Sequence, residues 1–380
     1  MIVVIADDLT GAAEIGGLGL SFGLKAEIIT NLNINPGAEL VVISTDTRSM
    51  PEGKALEVTK TVSKAILAIK PDIIFIKVDS VLRGHIVPEL KLHQEILGYK
   101  KALLVPANPA FGRVLTGGKY YVNGELIHKT AFAHDPEFPV MGPYLFEMLR
   151  VDEKDVSINA ITDELPASGI IIGETISNDG LLSWIAKADK ETLLAGGAGL
   201  FTALLASFEL KKDASPVAKQ PDTPALFVCG TTHDRSRSNI RRIKELGGPV
   251  SYMPSDVISF ATEAGFETWA DEIVSLLKKN KKAIIAIDEA TIGRSIVSAA
   301  DLREKKAMVV EKVFRKLNVK ELLVEGGSTA AAIINHLNFT RFSPVSELGA
   351  GVIKMKVDNN DLFLTLKPGS YEWPAETWDF

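Results

Sequence analysis

Eight short runs of this chain are apolar at nearly every position: "MIVVIA", "LVVIST", "DIIFIKVD", "KALLVPA" and "GIIIGE", then "ALFVCG", "KAIIAID" and "KELLVEGG". A strand with one wet face alternates apolar and polar residues; these do not, so each must be covered on both faces. Parallel strands flanked by helices meet that demand, and the intervening stretches carry helical spacing. Val58, Val62, Ala65, Ile66 and Ile69 form one predicted helix face, and Ile240, Ile243 and Leu246 another. Ile273, Leu276 and Leu277, then Val310, Val313, Phe314 and Leu317, mark two more.

The expected fold is therefore two consecutive α/β domains, each with a largely parallel sheet flanked by helices, and with the ligand site in the cleft between them. At 380 residues the chain exceeds one ordinary core. The polar, proline-bearing stretch "KKDASPVAKQPDTP" is the best linker, which sets the expected domains at 1–222 and 223–380. A formal net charge of −6 argues against a nucleic-acid partner or an acidic membrane surface. No apolar run reaches the roughly 18 residues of a membrane span, and the single Cys229 rules out an internal disulfide. The expectation is a cytoplasmic protein; a homo-oligomer is left open. Segment 104–145 is long, rich in Pro and Gly and poorly periodic, which in a compact domain points to function. Asn123-Gly124 in "YYVNGELI" predicts a tight hairpin there.

In open α/β sheets ligands bind where strands end and helices begin. The first run ends in "ADDLTGA", with Asp7 and Asp8 at the strand end and Thr10 placed to cap a helix starting near Gly11. The competing reading is two acids that merely cap a helix. "STDTRS" ends the second run with Thr47 and Arg48, and "IKVDSVLRG" ends the third with Asp79, Ser80 and Arg83. An Arg at a strand end suits a carboxylate or phosphate, although Asp79 and Arg83 could simply pair with each other. Three such ends together favour a polyhydroxylated, anionic ligand. In the second half, Gly326, Gly327, Ser328 and Thr329 form a strand-to-helix turn able to bring backbone N–H groups to an anion. Gly230, Thr231, Thr232, His233 and Ser236 form a second such turn, and Gly349 and Gly351 suit backbone close to a nucleotide. The P-loop, protein-kinase and G-x-S-x-G signatures are missing, and the six histidines lack metal-ligand spacing. No metal ligand is assigned. Trp373 and Trp378 read as packing anchors for the tail.

In order, "ADDLTGA", "KVDSVLRG", "PANPAFGR" with "DPEFPV", "GTTHDRS", "EGGST" and "GAGV" resemble the four-carbon acid sugar kinase family over nearly the whole chain. The resemblance implies an ATP-dependent kinase acting on the terminal hydroxyl of threonate, erythronate or 3-oxo-tetronate, and Mg²⁺ is expected to help the glycine-turn amides hold the ATP phosphates. It implies a sugar-acid-binding N-terminal domain using Asp7, Asp8, Thr10, Asp79, Ser80 and Arg83; the expected clamp on the substrate carboxylate is Arg83, with Arg48 as a second candidate. Asp8, Asp79 and Arg83 would carry catalysis. It also implies a nucleotide-binding C-terminal domain using Gly326, Gly327, Ser328, Thr329, Gly351 and the Gly230–Ser236 turn. Arg113 or Lys367 would help against developing charge. The alternatives are a sugar-acid-binding protein, or a non-kinase enzyme with the same pocket. Ala13-Glu14, Val78, Val81 and "KPGSYEW" depart from the usual family wording and leave the particular acid open.

Overall fold

The structure, a computed structural model, describes residues 1–135, 137–210, 221–230, 234–288, 297–369 and 371–380. It divides into two units, Met1–Asp213 and Ala214–Phe380. Most of the expected linker, 211–220, lies outside the described residues.

The first unit contains β1 (Ile2–Ala6), β2 (Ala26–Ile29), β3 (Leu40–Ser44), β4 (Ile73–Lys77), β5 (Lys101–Val105), β6 (Arg113–Thr116), β7 (Lys119–Val122), β8 (Glu125–Leu126), β9 (Val156–Asn159), β10 (Gly169–Gly173) and β11 (Thr192–Gly196). Its helices are α1 (Leu9–Ser21), α2 (Glu52–Ile69), α3 (Ile86–Leu97), α4 (Leu145–Leu149), α5 (Asn178–Lys187) and α6 (Ala198–Ala206). Strands pair in the order β2-β3-β1-β4-β11-β5-β10-β9, all parallel. The apolar runs fill this sheet: β1, β3 and β5 are buried end to end. Helices α2 and α3 pack on each other, as do α1 and α6, giving the sheet its cover. The chain winds from β1 to β3 on one side and to β4 on the other, so three strand ends meet at a switch point. In register, Ala6 stands beside both Ser44 and Lys77.

Two helix readings change. The cap of α1 is Asp8, not Thr10: Asp8 is extended and its carboxylate accepts from the Gly11 amide, so the helix begins at Leu9. In α2 the buried face runs through Ala55, Thr59, Val62, Ser63 and Ile66, while Ile69 is exposed. The hydroxyls of Thr59 and Ser63 turn inward because α3 offers them polar partners. Asn123 and Gly124 both take positive φ and close the β7–β8 hairpin, and β6 pairs with β7 to complete a small antiparallel sheet.

The second unit contains β12 (Ala225–Cys229), β13 (Val250–Tyr252), β14 (Lys282–Ala286), β15 (Glu321–Glu325), β16 (Arg341–Gly349), β17 (Val352–Val357) and β18 (Phe363–Lys367). Helices α7 (Asp234–Glu245), α8 (Ser255–Phe260), α9 (Glu263–Asn280), α10 (Ala299–Lys316) and α11 (Gly327–His336) accompany them. The order is β13-β14-β12-β15-β18-β17-β16, parallel except for β17, which runs antiparallel to both neighbours. Leu246 is exposed, just past the end of α7. Trp373 and Trp378 stack on each other at 6.0 Å and meet the Phe227 ring edge-on, so the tail seals one face of β12.

Candidate functional site

The polar groups at the ends of β1, β3 and β4 form a chain of alternating charge. The segment after β3 is laced to the end of β1: Thr45 N donates to Ala6 O at 2.9 Å and Arg48 N to Asp7 O at 3.2 Å. That fixes Arg48 over both acids. Its Nε and Nη2 donate to Asp7 Oδ2 and Oδ1 at 2.8 and 2.7 Å, and Nη2 also reaches Asp8 Oδ1 at 2.7 Å. Nη1 stands 3.8 Å from Asp79 Oδ1. Asp79 in turn accepts from Arg83 Nε and Nη2 at 2.8 and 2.9 Å and from the Arg83 amide at 3.1 Å, while Arg83 Nη1 donates to Asp135 Oδ2 at 3.0 Å. Gly84, at φ 93°, lets the chain pass Arg48: a Cβ there would lie 3.2 Å from Arg48 Cγ.

The acids are not equivalent. Burial, with Asp8 and Asp79 nearby, pushes the Asp7 carboxyl up against the pull of Arg48. Burial acts on Asp8 in the same sense, but Arg48, Lys77 and the hydrogen bonds from Thr10 and Gly11 outweigh it and hold Asp8 low. Arg83 and Arg48 likewise overcome burial at Asp79 and hold it well below the carboxylate range. Ser80 faces the small sheet: Arg113 donates to its hydroxyl and the buried Tyr120 hydroxyl to its carbonyl. All seven substrate-side candidates, Asp7, Asp8, Thr10, Arg48, Asp79, Ser80 and Arg83, thus fall in one cluster. The Asp79–Arg83 pair exists, yet it uses only part of the arginine. Among the described residues, three of the five guanidinium donors are engaged, leaving two.

Sequence reasoning passed over three members of the cluster, Lys77, Asp135 and Glu89. Lys77, buried at the end of β4, lies 3.5 Å from Glu14 Oε2 and donates to Val78 O. Asp135 arrives from the long loop and Glu89 from α3. For Lys77 the signal was present, a lysine closing an apolar strand; the others depend on long-range folding.

In the second unit the strand register sets Cys229, Glu325 and Lys367 side by side at the ends of β12, β15 and β18. Glu325 is fully buried; its Oε1 lies 3.0 Å from Lys367 Nζ and accepts from Ser236 Oγ at 2.6 Å. Lys367 also donates to Pro368 O and Tyr371 O, so it is a buried tie between the strand ends and the tail. Lys306, from α10, donates to Cys229 O at 3.0 Å, and burial pulls its ammonium down to about 8. Gly230 lies tight on this turn: a Cβ would sit 2.5 Å from Glu325 O and against the Thr329 hydroxyl. Among the described residues no side chain caps Gly326, so the first amides of α11, from Gly327, Ser328 and Thr329, have no intrahelical partner. These features fit the phosphates of a nucleotide. Gly349 and Gly351 lie on the β16–β17 turn against Pro374 and Tyr371. Thr231, Thr232 and His233 lie outside the described residues. Among the described residues no three His, Cys, Asp or Glu side chains converge on a metal position.

Residues 2–204 match the family model of the sugar-binding N-terminal domain. Over 91% of this chain and 88% of its own length, a D-threonate kinase of Salmonella typhimurium is 24% identical. A 3-oxo-tetronate kinase of Brucella melitensis is 23% identical over 97% and 92%. A D-erythronate kinase of Heliobacterium modesticaldum is 26% identical over 64% and 60%. The chain belongs to the four-carbon acid sugar kinase family. The matched model spans the first unit, where the acid–arginine cluster lies. A solved structure from Salmonella typhimurium LT2 shares the fold, with a TM-score of 0.78 at 17% identity over 98% and 96% of the two chains.

Proposed function

We propose that the protein is an ATP-dependent kinase that phosphorylates the terminal (4-) hydroxyl of a four-carbon sugar acid: threonate, erythronate or 3-oxo-tetronate. The observation that carries this reading is the Asp8–Arg48–Asp79–Arg83 chain at three adjacent strand ends, in a family whose named relatives act on these acids. A sugar acid presents one carboxylate and several hydroxyls. The two remaining Arg83 donors suit the carboxylate, since planar N–H pairs bind it bidentately. Asp8 Oδ2 accepts from Thr10, and Asp79 Oδ1 accepts from Arg83 Nη2. Each oxygen keeps room for a substrate hydroxyl. One of these two acids takes the proton of the attacking hydroxyl. The loose transition state of phosphoryl transfer asks mainly for positioning and charge stabilisation.

ATP is assigned to the second unit, with phosphates at the first amides of α11 and the Gly230 turn. Mg²⁺ would enter on those phosphates, because it keeps several waters and needs few protein carboxylates. Arg113, on Ser80, brings a further cation to the acid site. An ADP-release assay with MgATP against D- and L-threonate, D- and L-erythronate and their 3-oxo forms tests the proposal. Turnover of one acid is expected. Silence across the panel from a protein that binds both MgATP and an acid overturns it.

A further inference from the structure

α3 places Glu89 in its first turn, beneath the acid cluster. One of its carboxyl oxygens, Oε1, is sealed from solvent and has no hydrogen-bond partner among the described residues. An orphaned buried polar atom is destabilising, the more so if it carries charge, so its surroundings call for a reason. The sheet side offers Asp7 at the end of β1, and Arg48 and the Thr47 hydroxyl after β3. Arg48 in turn contacts Asp8 and Asp79. The α2 side offers the Thr59 hydroxyl, which carries no charge. On α3 itself, His93 lies one turn on, its Nδ1 bonded to Ser63 Oγ at 2.7 Å; burial drives that imidazole down to about 3, so it stays neutral. One turn back, His85 Nε2 is bonded to Met50 O, with Glu52 at 3.7 Å from Nδ1. Among these described residues, the cation acting on Glu89 is Arg48, and Arg48 is committed to Asp7 and Asp8. An ionised Glu89 would repel Asp7 and compete for that guanidinium. A protonated Glu89 does neither.

We infer that Glu89 is a positioning residue of the acid cluster: it holds a proton, and its neutrality leaves Arg48 bound to Asp7 and Asp8. This rests on reading that cluster as the sugar-acid site. Burial and the Asp7 charge push the carboxyl up to about 8, against the pull of the two threonine hydroxyls and Arg48. Its proton is then lost in the mildly alkaline range, where the Arg48 bridge is drawn away from the two aspartates.

Two readouts on the full chain test this, and the first needs no ligand. A folded-state pKa raised above the unfolded value means that stability is fully present below about 4.5 and is lost as pH rises through about 8. Glu89→Gln cannot titrate, so the melting-temperature difference between variant and wild type should move in favour of the variant from pH 5 to pH 8.5 and then level. Parallel profiles would overturn the inference. The second readout is the KM for the acid found in the ADP-release panel. In wild type it should rise about tenfold per pH unit above about 8, the slope of a single ionisation. That alkaline rise should vanish in Glu89→Gln; an unchanged rise would also overturn the inference. If no acid is turned over, the stability profiles still decide the state of Glu89, and the missing turnover counts against the kinase reading alone.

Discussion

Arg48→Lys tests the frame of the acid site. Arg48 makes three charge-assisted bonds of 2.7–2.8 Å, two to Asp7 and one to Asp8, with its side chain 13% exposed. A lysine keeps the charge but offers a point donor in place of a planar fork, so it replaces about one of them. Losing two such bonds, at about 1.5–3 kcal/mol each, bounds the cost near 3–6 kcal/mol. The retained charge keeps Asp7 and Asp8 from being fully uncompensated, which favours the low end, about 3 kcal/mol. Native-state hydrogen exchange of the β1, β3 and β4 amides reads this locally, where a single unfolding transition of a two-unit chain would not. Opening should become about a hundredfold more frequent, since each 1.4 kcal/mol is tenfold. Combined with Asp7→Asn, the effects should fall short of additive, because both remove the same bonds. A loss below about 1 kcal/mol, or strict additivity, would refute the argument that Arg48 ties the two acids.

Three further outcomes follow from particular contacts. Gly230→Ala forces a Cβ to 2.5 Å from Glu325 O, so calorimetric ATP affinity should fall at least about tenfold while acid affinity holds. Tyr120→Phe strips the buried hydroxyl from the Ser80 carbonyl; a melting-temperature drop equivalent to about 1–3 kcal/mol should appear, together with a raised KM for the acid. His336 on α11 bonds Glu304 and Glu311 of α10; burial lowers its pKa, but the two glutamates outweigh that and raise it. That stabilisation is present below about 6.5 and lost as pH rises through the raised value. The melting-temperature deficit of His336→Gln should therefore be larger at pH 6 than at pH 8.5.

Much of this arrangement was legible in the chain because it is local. The unalternating runs became β1, β3, β4, β5, β10, β12, β14 and β15, and the residues just past three of them are the acid cluster. Asn123-Gly124 made its turn because both positions need positive φ. What local pattern could not reveal is partner choice. Thr10 looked like a cap, but the extended backbone of Asp8 and its bond to Gly11 N take that role first. Arg48 looked like a ligand clamp; strand order sets β3 beside β1, and the nearest anions became Asp7 and Asp8. Glu89 and Lys306 sit in ordinary amphipathic helices, and nothing in their sequence neighbourhoods says which strand end they meet. Strands β2, β9, β11, β13 and β16–β18 carry no such pattern, being short, mixed in polarity or merged with glycine turns.

The central claim is that the first unit holds the sugar acid through Arg83 while the second holds ATP. Isothermal titration of Arg83→Ala with the preferred acid and, separately, with MgATP tests it most directly. The account predicts that the heat of acid binding disappears while ATP binds as in wild type. Undiminished acid affinity, or loss of ATP binding with the acid retained, would contradict it.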